Sequence, residues 1–218
     1  MAISASNPTL EFPLRGAWAV VRARGHHRYA FDLAAVDGPA GSYLTKSRMK
    51  VLWSGASVED SHSWAQPVHA PADATVVDLY TEAADHLSVR VLTGARLVRG
   101  RQRYSELRQL AGNFLLLQCR TVFVLLAHLR HGSIRVAKGD TVARGDAVAE
   151  VGNSGSSLAP HLHLQVVDRP DPLRAATLGF LVNDYERWNG RHWQPVRYRE
   201  LVKGERVRFG PAVDGNGT

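Results

Sequence analysis

Residues 139–166 read GDTVARGDAVAEVGNSGSSLAPHLHLQV, and within this stretch turn-rich sequence gives way to a strand. The run 152–157 consists only of Gly, Asn and Ser, which are typical of turns. After it, Leu162 and Leu164 alternate with His161 and His163. Because successive side chains of a strand point to opposite faces, the two histidines lie on one face. Two imidazoles on one strand face can serve one small site, such as a metal site.

The composition is that of an ordinary soluble globular protein. The length suits either one well-buried domain with elaborations or two small domains. The chain has 218 residues, of which 44% are hydrophobic and 22% are charged. No window approaches the roughly 18 apolar residues of a membrane span. The N-terminus lacks a basic start followed by an apolar core, so no signal peptide is visible. Cys119 is the single cysteine, which excludes an internal disulfide and a cysteine-based zinc cluster.

The formal net charge of +7 favours anionic partners such as nucleic acid, anionic lipid or a negatively charged cell-wall polymer. Basic side chains concentrate at Arg96, Arg99, Arg101, Arg103 and Arg108, which we interpret as a solvated face. Zinc-finger spacing, aromatic RNA-binding patterns and basic heptads are all missing from the sequence. We therefore expect no nucleic-acid partner.

Short strands separated by turn signals predict a mainly all-β fold, with a small antiparallel sheet or sandwich core, long loops and few short helices. The expected strands include an edge strand at 17–22 and further strands at 29–33, 113–117 and 121–129. The last two form a hairpin around a tight turn. Residues 82–112 are polar and arginine-rich, and we interpret them as an insertion into the β pattern.

Histidine and aspartate occur where a catalytic zinc site could use them. Such a site needs about three protein ligands from His, Asp or Glu, with an open position for water. His128 ends the apolar strand at 121–127, and His27 precedes Asp32 in an early strand. One His, one Asp and one more His would supply the ligands, and another imidazole nearby could take a proton from the water.

A longer pattern resembles a known family. It consists of Ala127-His128-Leu129, Gly139-Asp140-x-Val142, Val151-Gly152-Asn153-Ser154-Gly155 and Pro160-His161-Leu162-His163. Together these segments closely resemble the M23 zinc metallopeptidases, the lysostaphin- and LytM-like peptidoglycan endopeptidases. The segment from Pro67 to Val76 resembles the early hairpin of the same family. The resemblance covers about residues 25–168.

The resemblance implies a small antiparallel β-sheet core with a groove that holds one Zn²⁺. His163 and Asp32 match the positions of zinc ligands, whereas His161 and His128 match catalytic histidines that handle the water and stabilise the oxyanion. We accordingly expect a peptidase domain at 25–168, with an insertion at about 82–112. The rest of the chain is interpreted as an N-terminal strand and extension at 1–24 and a C-terminal extension at 169–218 packed on that domain.

The first ligand departs from the family pattern. Many members carry H-x-G-x-D, but here Arg28 stands four residues before Asp32 and Ala30 replaces the glycine. His27 and His26 lie five and six residues before Asp32, and a bulge or bend before Tyr29 is needed to bring His27 onto the face of Asp32. We choose His27 as the ligand over His26.

The implied activity is zinc-dependent hydrolysis of peptide bonds in the cross-links or stems of peptidoglycan. Two alternatives remain open: a non-catalytic M23-like domain that binds cell wall or a partner protein, and a metallopeptidase that acts on proteins. We expect a monomer without a membrane span. The family implies a location in the cell envelope or outside the cell, although no signal peptide is visible.

Overall fold

Most of the chain is β-structure, which confirms the predicted fold class. The structure is a computed structural model, and it describes residues 7–22, 26–89 and 106–210. Strands account for 41% of the described residues and helices for 8%. Four of the arginines predicted to form a solvated face, Arg96 to Arg103, lie outside the described residues, as does most of the predicted insertion.

The described residues form fifteen strands and two short α-helices. The strands are β1 (Thr9–Leu10), β2 (Gly16–Val21), β3 (Ala30–Ala35), β4 (Pro67–His69), β5 (Ala74–Tyr80), β6 (Asn113–Cys119), β7 (Val122–Leu129), β8 (Thr141–Val142), β9 (Ala147–Glu150), β10 (Leu162–Val167), β11 (Thr177–Leu178), β12 (Leu181–Val182), β13 (Tyr185–Trp188), β14 (Trp193–Val196) and β15 (Arg206–Phe209). The helices are α1 (Arg48–Ser54) and α2 (Leu107–Ala111), and a single 3-10 turn covers Val58–Asp60.

One antiparallel sheet dominates the described part of the chain. Its strands follow the order β14-β13-β15-β2-β3-β10-β7-β6-β5-β8, and β11 also pairs with β10. The apolar runs around residues 113–129 form the predicted hairpin β6–β7. The prediction that residues 17–22 form an edge strand is wrong, because β15 from the C-terminal segment pairs with the free side of β2. Backbone groups that would otherwise face solvent are therefore hydrogen-bonded.

The two faces of the sheet are packed differently. On one face, alternate residues of the central strands, including Leu33, Leu126, Leu162 and Leu164, join the main hydrophobic core. On the other face, a smaller apolar cluster gathers where α2 meets β6 and β7, with Phe114 and Leu125 among its members. The alternation of strand side chains thus leaves part of the second face for polar residues.

Candidate metal and catalytic site

Three neighbouring strands bring the polar residues together. β10 lies between β3 and β7, and both pairings are antiparallel. The register places His163 directly opposite Asp32 on one side and Ala127 on the other. Paired residues of an antiparallel ladder share a face, so Asp32 and His163 point to the same side of the sheet as the smaller apolar cluster. These two residues were predicted as zinc ligands, and the structure brings them together.

His128 reaches this face through a β-bulge. Asn113 pairs with Leu129 and Phe114 pairs with Ala127, so His128 is the extra residue of β7. Its φ is +62°, a left-handed backbone conformation that residues other than glycine seldom adopt. A bulge re-aims the side chain of the extra residue, and here the His128 ring centroid comes within 4.6 Å of His161 and 6.0 Å of His163. Simple alternation would have placed His128 on the face opposite to Ala127.

His26, Asp32 and His163 form the group in the described residues that could hold a metal ion, with one ligand atom of each within 4.8 Å of the others. Asp32 lies between the two histidines. His163 Nδ1 is 2.9 Å from Asp32 Oδ1, and His26 Nδ1 is 3.4 Å from Asp32 Oδ2. Two imidazole nitrogens and one carboxylate oxygen are a donor set that suits Zn²⁺, so the residues present fit the metal that the sequence predicted.

His27 points elsewhere. Its Nδ1 accepts a hydrogen bond from the backbone N–H of Tyr29 at 3.3 Å, and its ring lies beside the ring of Tyr29. The backbone N–H of Ala30 donates to the His27 carbonyl at 3.1 Å, which forms a turn just before β3. This turn brings the side chain of His26, rather than that of His27, towards Asp32. The structure therefore favours the alternative that the sequence placed second.

The protonation behaviour of the group suits a cation. Burial would raise the pKa of Asp32, but the nearby imidazole of His161 and the hydrogen bond from His163 outweigh burial and hold that pKa well below its usual range. Burial lowers the pKa of His26, although Asp32 opposes the shift, and burial lowers the pKa of His128 strongly. Near neutral pH, Asp32 is an anion, while His26 and His128 are neutral imidazoles with a lone pair to offer.

Backbone carbonyls orient the two histidines predicted to be catalytic. His128 Nδ1 is 2.9 Å from the carbonyl oxygen of Ser154, and His161 Nδ1 is 2.8 Å from that of Ala159. A carbonyl oxygen can only accept, so each Nδ1 must carry the proton and donate it. In the neutral ring this leaves the lone pair on Nε2. His161 Nε2 lies 3.6 Å from Asp32 Oδ1, so that lone pair borders the candidate metal group.

The loop Gly152-Asn153-Ser154-Gly155 holds His128 in place by packing against the ends of β6 and β7. Ser154 Oγ accepts from the backbone N–H of Asn113 at 3.0 Å and donates to the Leu129 carbonyl at 2.8 Å. A Cβ on Gly155 would lie 2.6 Å from the Cα of Gly112, and a Cβ on Gly152 would lie 2.6 Å from the carbonyl carbon of Leu129. The sequence identified this loop by its resemblance to a family, and the structure gives the physical reason for its residues.

The site opens into a large groove of about 1940 Å³. Its floor is formed by the polar residues of β3, β7 and β10, and apolar side chains line its walls, among them Leu52, Leu107, Leu110, Leu158 and Leu173. This volume exceeds the roughly 300–1,000 Å³ of typical small-molecule pockets, so the groove has room for a larger ligand.

Sequence reasoning missed one neighbour of the site. Gln165 Oε1 lies 3.1 Å from His163 Nε2, the ring nitrogen that points away from Asp32. The alternation of β10 already places Gln165 on the same face as His163. That period of two was the signal available in the sequence.

Histidines gathered around the buried Asp32 carboxylate, in a groove on an antiparallel sheet, define a candidate metallohydrolase. The family model of "Peptidase family M23" matches residues 54–175. The match covers more than half of the chain, and the chain belongs to this family, as the resemblance predicted. His128, His161 and His163 lie inside the matched range, whereas His26 and Asp32 precede it. No curated protein sequence matches the chain.

Several solved structures are similar to the chain at low sequence identity. A putative peptidase M23 from Pseudomonas aeruginosa is 18% identical, with a TM-score of 0.41, and the match covers 74% of this chain and 46% of that one. A zinc containing peptidase from Vibrio cholerae is 17% identical, with a TM-score of 0.42 and coverage of 78% and 39%. The catalytic domain of the antimicrobial peptidase lysostaphin from Staphylococcus simulans is 16% identical, with a TM-score of 0.40 and coverage of 77% and 86%.

The chain thus spans less than half the length of the first two of these proteins. Among the described residues, no helix is both long and apolar enough to span a membrane.

Proposed function

We propose that the protein is a zinc-dependent endopeptidase that hydrolyses peptide bonds in the cross-links or stem peptides of peptidoglycan. The convergence of His26, Asp32 and His163 within 4.8 Å, in a chain that belongs to family M23, is the observation that carries the proposal. His26 replaces His27 as the proposed first ligand, because His27 turns towards Tyr29. The groove suits an extended peptide, and the net charge of +7 suits an anionic wall.

The proposed roles divide between binding and proton transfer. His26, Asp32 and His163 hold the metal, and a bound Zn²⁺ supplies Lewis-acid polarisation of the scissile carbonyl and lowers the pKa of a water molecule. The Nε2 lone pair of His161 or of His128 accepts the proton that the attacking water loses. That Nε2–H then donates a hydrogen bond to the developing oxyanion and delivers its proton to the leaving amine.

The carbonyls of Ser154 and Ala159 have a defined part in this scheme. Because they accept from Nδ1, they hold the basic Nε2 of His128 and His161 free for proton transfer. The buried position of His128 lowers its pKa, so the imidazole is neutral at neutral pH and its Nε2 carries a lone pair before the reaction. Proton transfer by a positioned side chain contributes roughly 10²–10⁴-fold to a rate.

The test combines zinc content of the purified protein with release of peptides from isolated peptidoglycan. We expect His163→Ala to lose both zinc and activity, and His161→Ala to keep zinc and lose turnover. Retention of zinc and of activity by His163→Ala would remove the assignment.

The neighbouring pair His26→Ala and His27→Ala provides a matched comparison for the first ligand. We expect zinc loss only in the His26 variant, and the opposite result would transfer the ligand role to His27. A folded wild-type protein that binds peptidoglycan without zinc and without hydrolysis would instead support the non-catalytic alternative. Hydrolysis of a protein substrate but not of peptidoglycan would support the protein-directed one.

A further inference from the structure

A chain of hydrogen bonds links His163 to a strand that lies beyond the predicted peptidase domain. Gln165 Oε1 is 3.1 Å from His163 Nε2, and Gln165 Nε2 donates to Thr177 Oγ1 at 2.8 Å. The amide therefore bridges the ring nitrogen that is remote from Asp32 and a hydroxyl of β11. Nδ1, the other ring nitrogen of His163, faces Asp32 at 2.9 Å.

The donors and acceptors in this pair of hydrogen bonds are defined by the orientation of the Gln165 amide. With its nitrogen used on the Thr177 hydroxyl, the Gln165 amide presents its oxygen to His163, and an oxygen can only accept. His163 Nε2 must then carry a proton and donate it. Nδ1 can donate to the Asp32 carboxylate, and a cation that displaces this Nδ1 proton binds the Nδ1 lone pair beside Asp32. Metal-binding histidines generally donate their other ring N–H to such a partner, which fixes both the tautomer and the ring orientation.

Thr177 is itself held in register. Val167 pairs with Thr177 and Val166 pairs with Leu178, so β11 continues along β10 next to the site. The turn that leads to β11 is fixed by Asp168, whose backbone N–H donates to the Ala176 carbonyl at 3.2 Å and whose Oδ1 accepts from the Ala176 N–H at 3.0 Å. The C-terminal segment thus supplies the anchor for the amide.

We propose that Gln165, anchored by Thr177, is a positioning residue that aims His163 Nδ1 at the metal. This inference rests on the proposed function, because it assumes that His163 is a ligand. Removal of a partner of this kind typically lowers metal affinity about 10–100-fold. Gln165 and Thr177 are only half-buried, so water can partly replace the lost acceptor, and we expect the lower end of that range.

The experiment measures the zinc dissociation constant of the full chain by competition with a chromophoric chelator. Gln165→Met keeps the size of the side chain but removes the acceptor, and we expect it to weaken zinc binding at least about tenfold. Gln165→Glu can still accept from Nε2–H, and we expect affinity within about threefold of wild type. Thr177→Val releases the amide, and we expect a smaller loss than in Gln165→Met.

Gln118→Met serves as the matched control, because Gln118 is exposed on β6 and its amide donates only weakly, to the Arg120 carbonyl at 3.4 Å. Its zinc affinity should equal that of wild type. A Gln165→Met variant that binds zinc as wild type does would overturn the inference. A Gln165→Glu variant that binds zinc as weakly as Gln165→Met would also overturn the inference, because both losses of affinity would then reflect altered packing rather than a lost acceptor. A wild-type protein that binds no zinc would instead refute the proposed function, and the inference with it.

Discussion

Gly155→Ala tests whether close backbone contact, rather than turn conformation alone, explains the loop that holds His128. Gly155 has a φ of +69°, and an added Cβ would lie 2.6 Å from the Cα of Gly112 and 2.9 Å from the carbonyl carbon of Ala111. These are backbone atoms at the junction of α2 and β6, so they cannot rotate away. Gly132 is the matched control, with a φ of +71° but no atom within 4 Å of an added Cβ.

The expected magnitudes follow from these two situations. A left-handed conformation costs a residue with a Cβ roughly 1–2 kcal/mol, and both variants incur this cost. Gly155→Ala also forces two backbone segments apart, and overpacking of this kind costs about 1–3 kcal/mol more. The separation should also weaken the hydrogen bond from the Asn113 N–H to Ser154 Oγ. We therefore expect a loss of about 2–5 kcal/mol for Gly155→Ala, against 1–2 kcal/mol for Gly132→Ala.

Urea unfolding followed by tryptophan fluorescence measures the free energy of unfolding of both variants, since the chain has five tryptophans. Peptidoglycan hydrolysis at a temperature where each variant is fully folded measures the effect on the site. We expect Gly155→Ala to lose activity as well, because the Ser154 carbonyl that orients His128 precedes residue 155. Equal destabilisation of the two variants, with equal activity, would refute the reasoning.

Three other experiments give distinct results. Asp32→Asn keeps the shape of the side chain but removes the negative charge between His26 and His163. Zinc affinity, measured by the same chelator competition, should fall more than about 100-fold, which exceeds the loss expected when a residue that only contacts a ligand is replaced. Lys203→Met removes the 2.8 Å hydrogen bond to the His27 carbonyl, so zinc affinity should fall about two- to fivefold, while the free energy of unfolding in urea should not change. An unchanged zinc affinity would show that this contact does not hold the loop that carries His26. Burial, with a smaller contribution from Asp73, raises the pKa of Cys119 to about 11. Alkylation of the Cys119 thiol at pH 8 should therefore be at least about 100-fold slower in the folded protein than in urea. Equal rates would contradict the buried position of Cys119.

The sequence alone was sufficient where the signal is local. The alternation around His161 and His163 predicted β10, and the apolar runs on either side of residues 118–120 predicted the β6–β7 hairpin. Strand periodicity and turn composition act over a few residues, so they can be read without knowledge of the partners. The M23 resemblance was carried by similarly short motifs, and the family match confirms it.

The edge of the sheet depended on residues far apart in the chain. Residues 16–21 look the same in sequence whether their second side is free or paired. Only the arrival of β15, nearly two hundred residues later, makes β2 an interior strand. Sequence-local propensity carries no information about such a partner.

In the site, too, the sequence indicates which residues are present, and the tertiary structure decides where their side chains point. The sequence placed Asp32 and His163 on strand faces, but it could not determine that β3 and β10 are neighbours with these residues opposite each other. The turn that selects His26 over His27, and the bulge that redirects His128, each change a side-chain direction through one or two backbone angles. Such angles are fixed by tertiary contacts, here Lys203 on the His27 carbonyl and Ser154 on the His128 ring. Chemistry-bearing residues were therefore readable from the sequence, whereas their convergence on one point was decided by the fold.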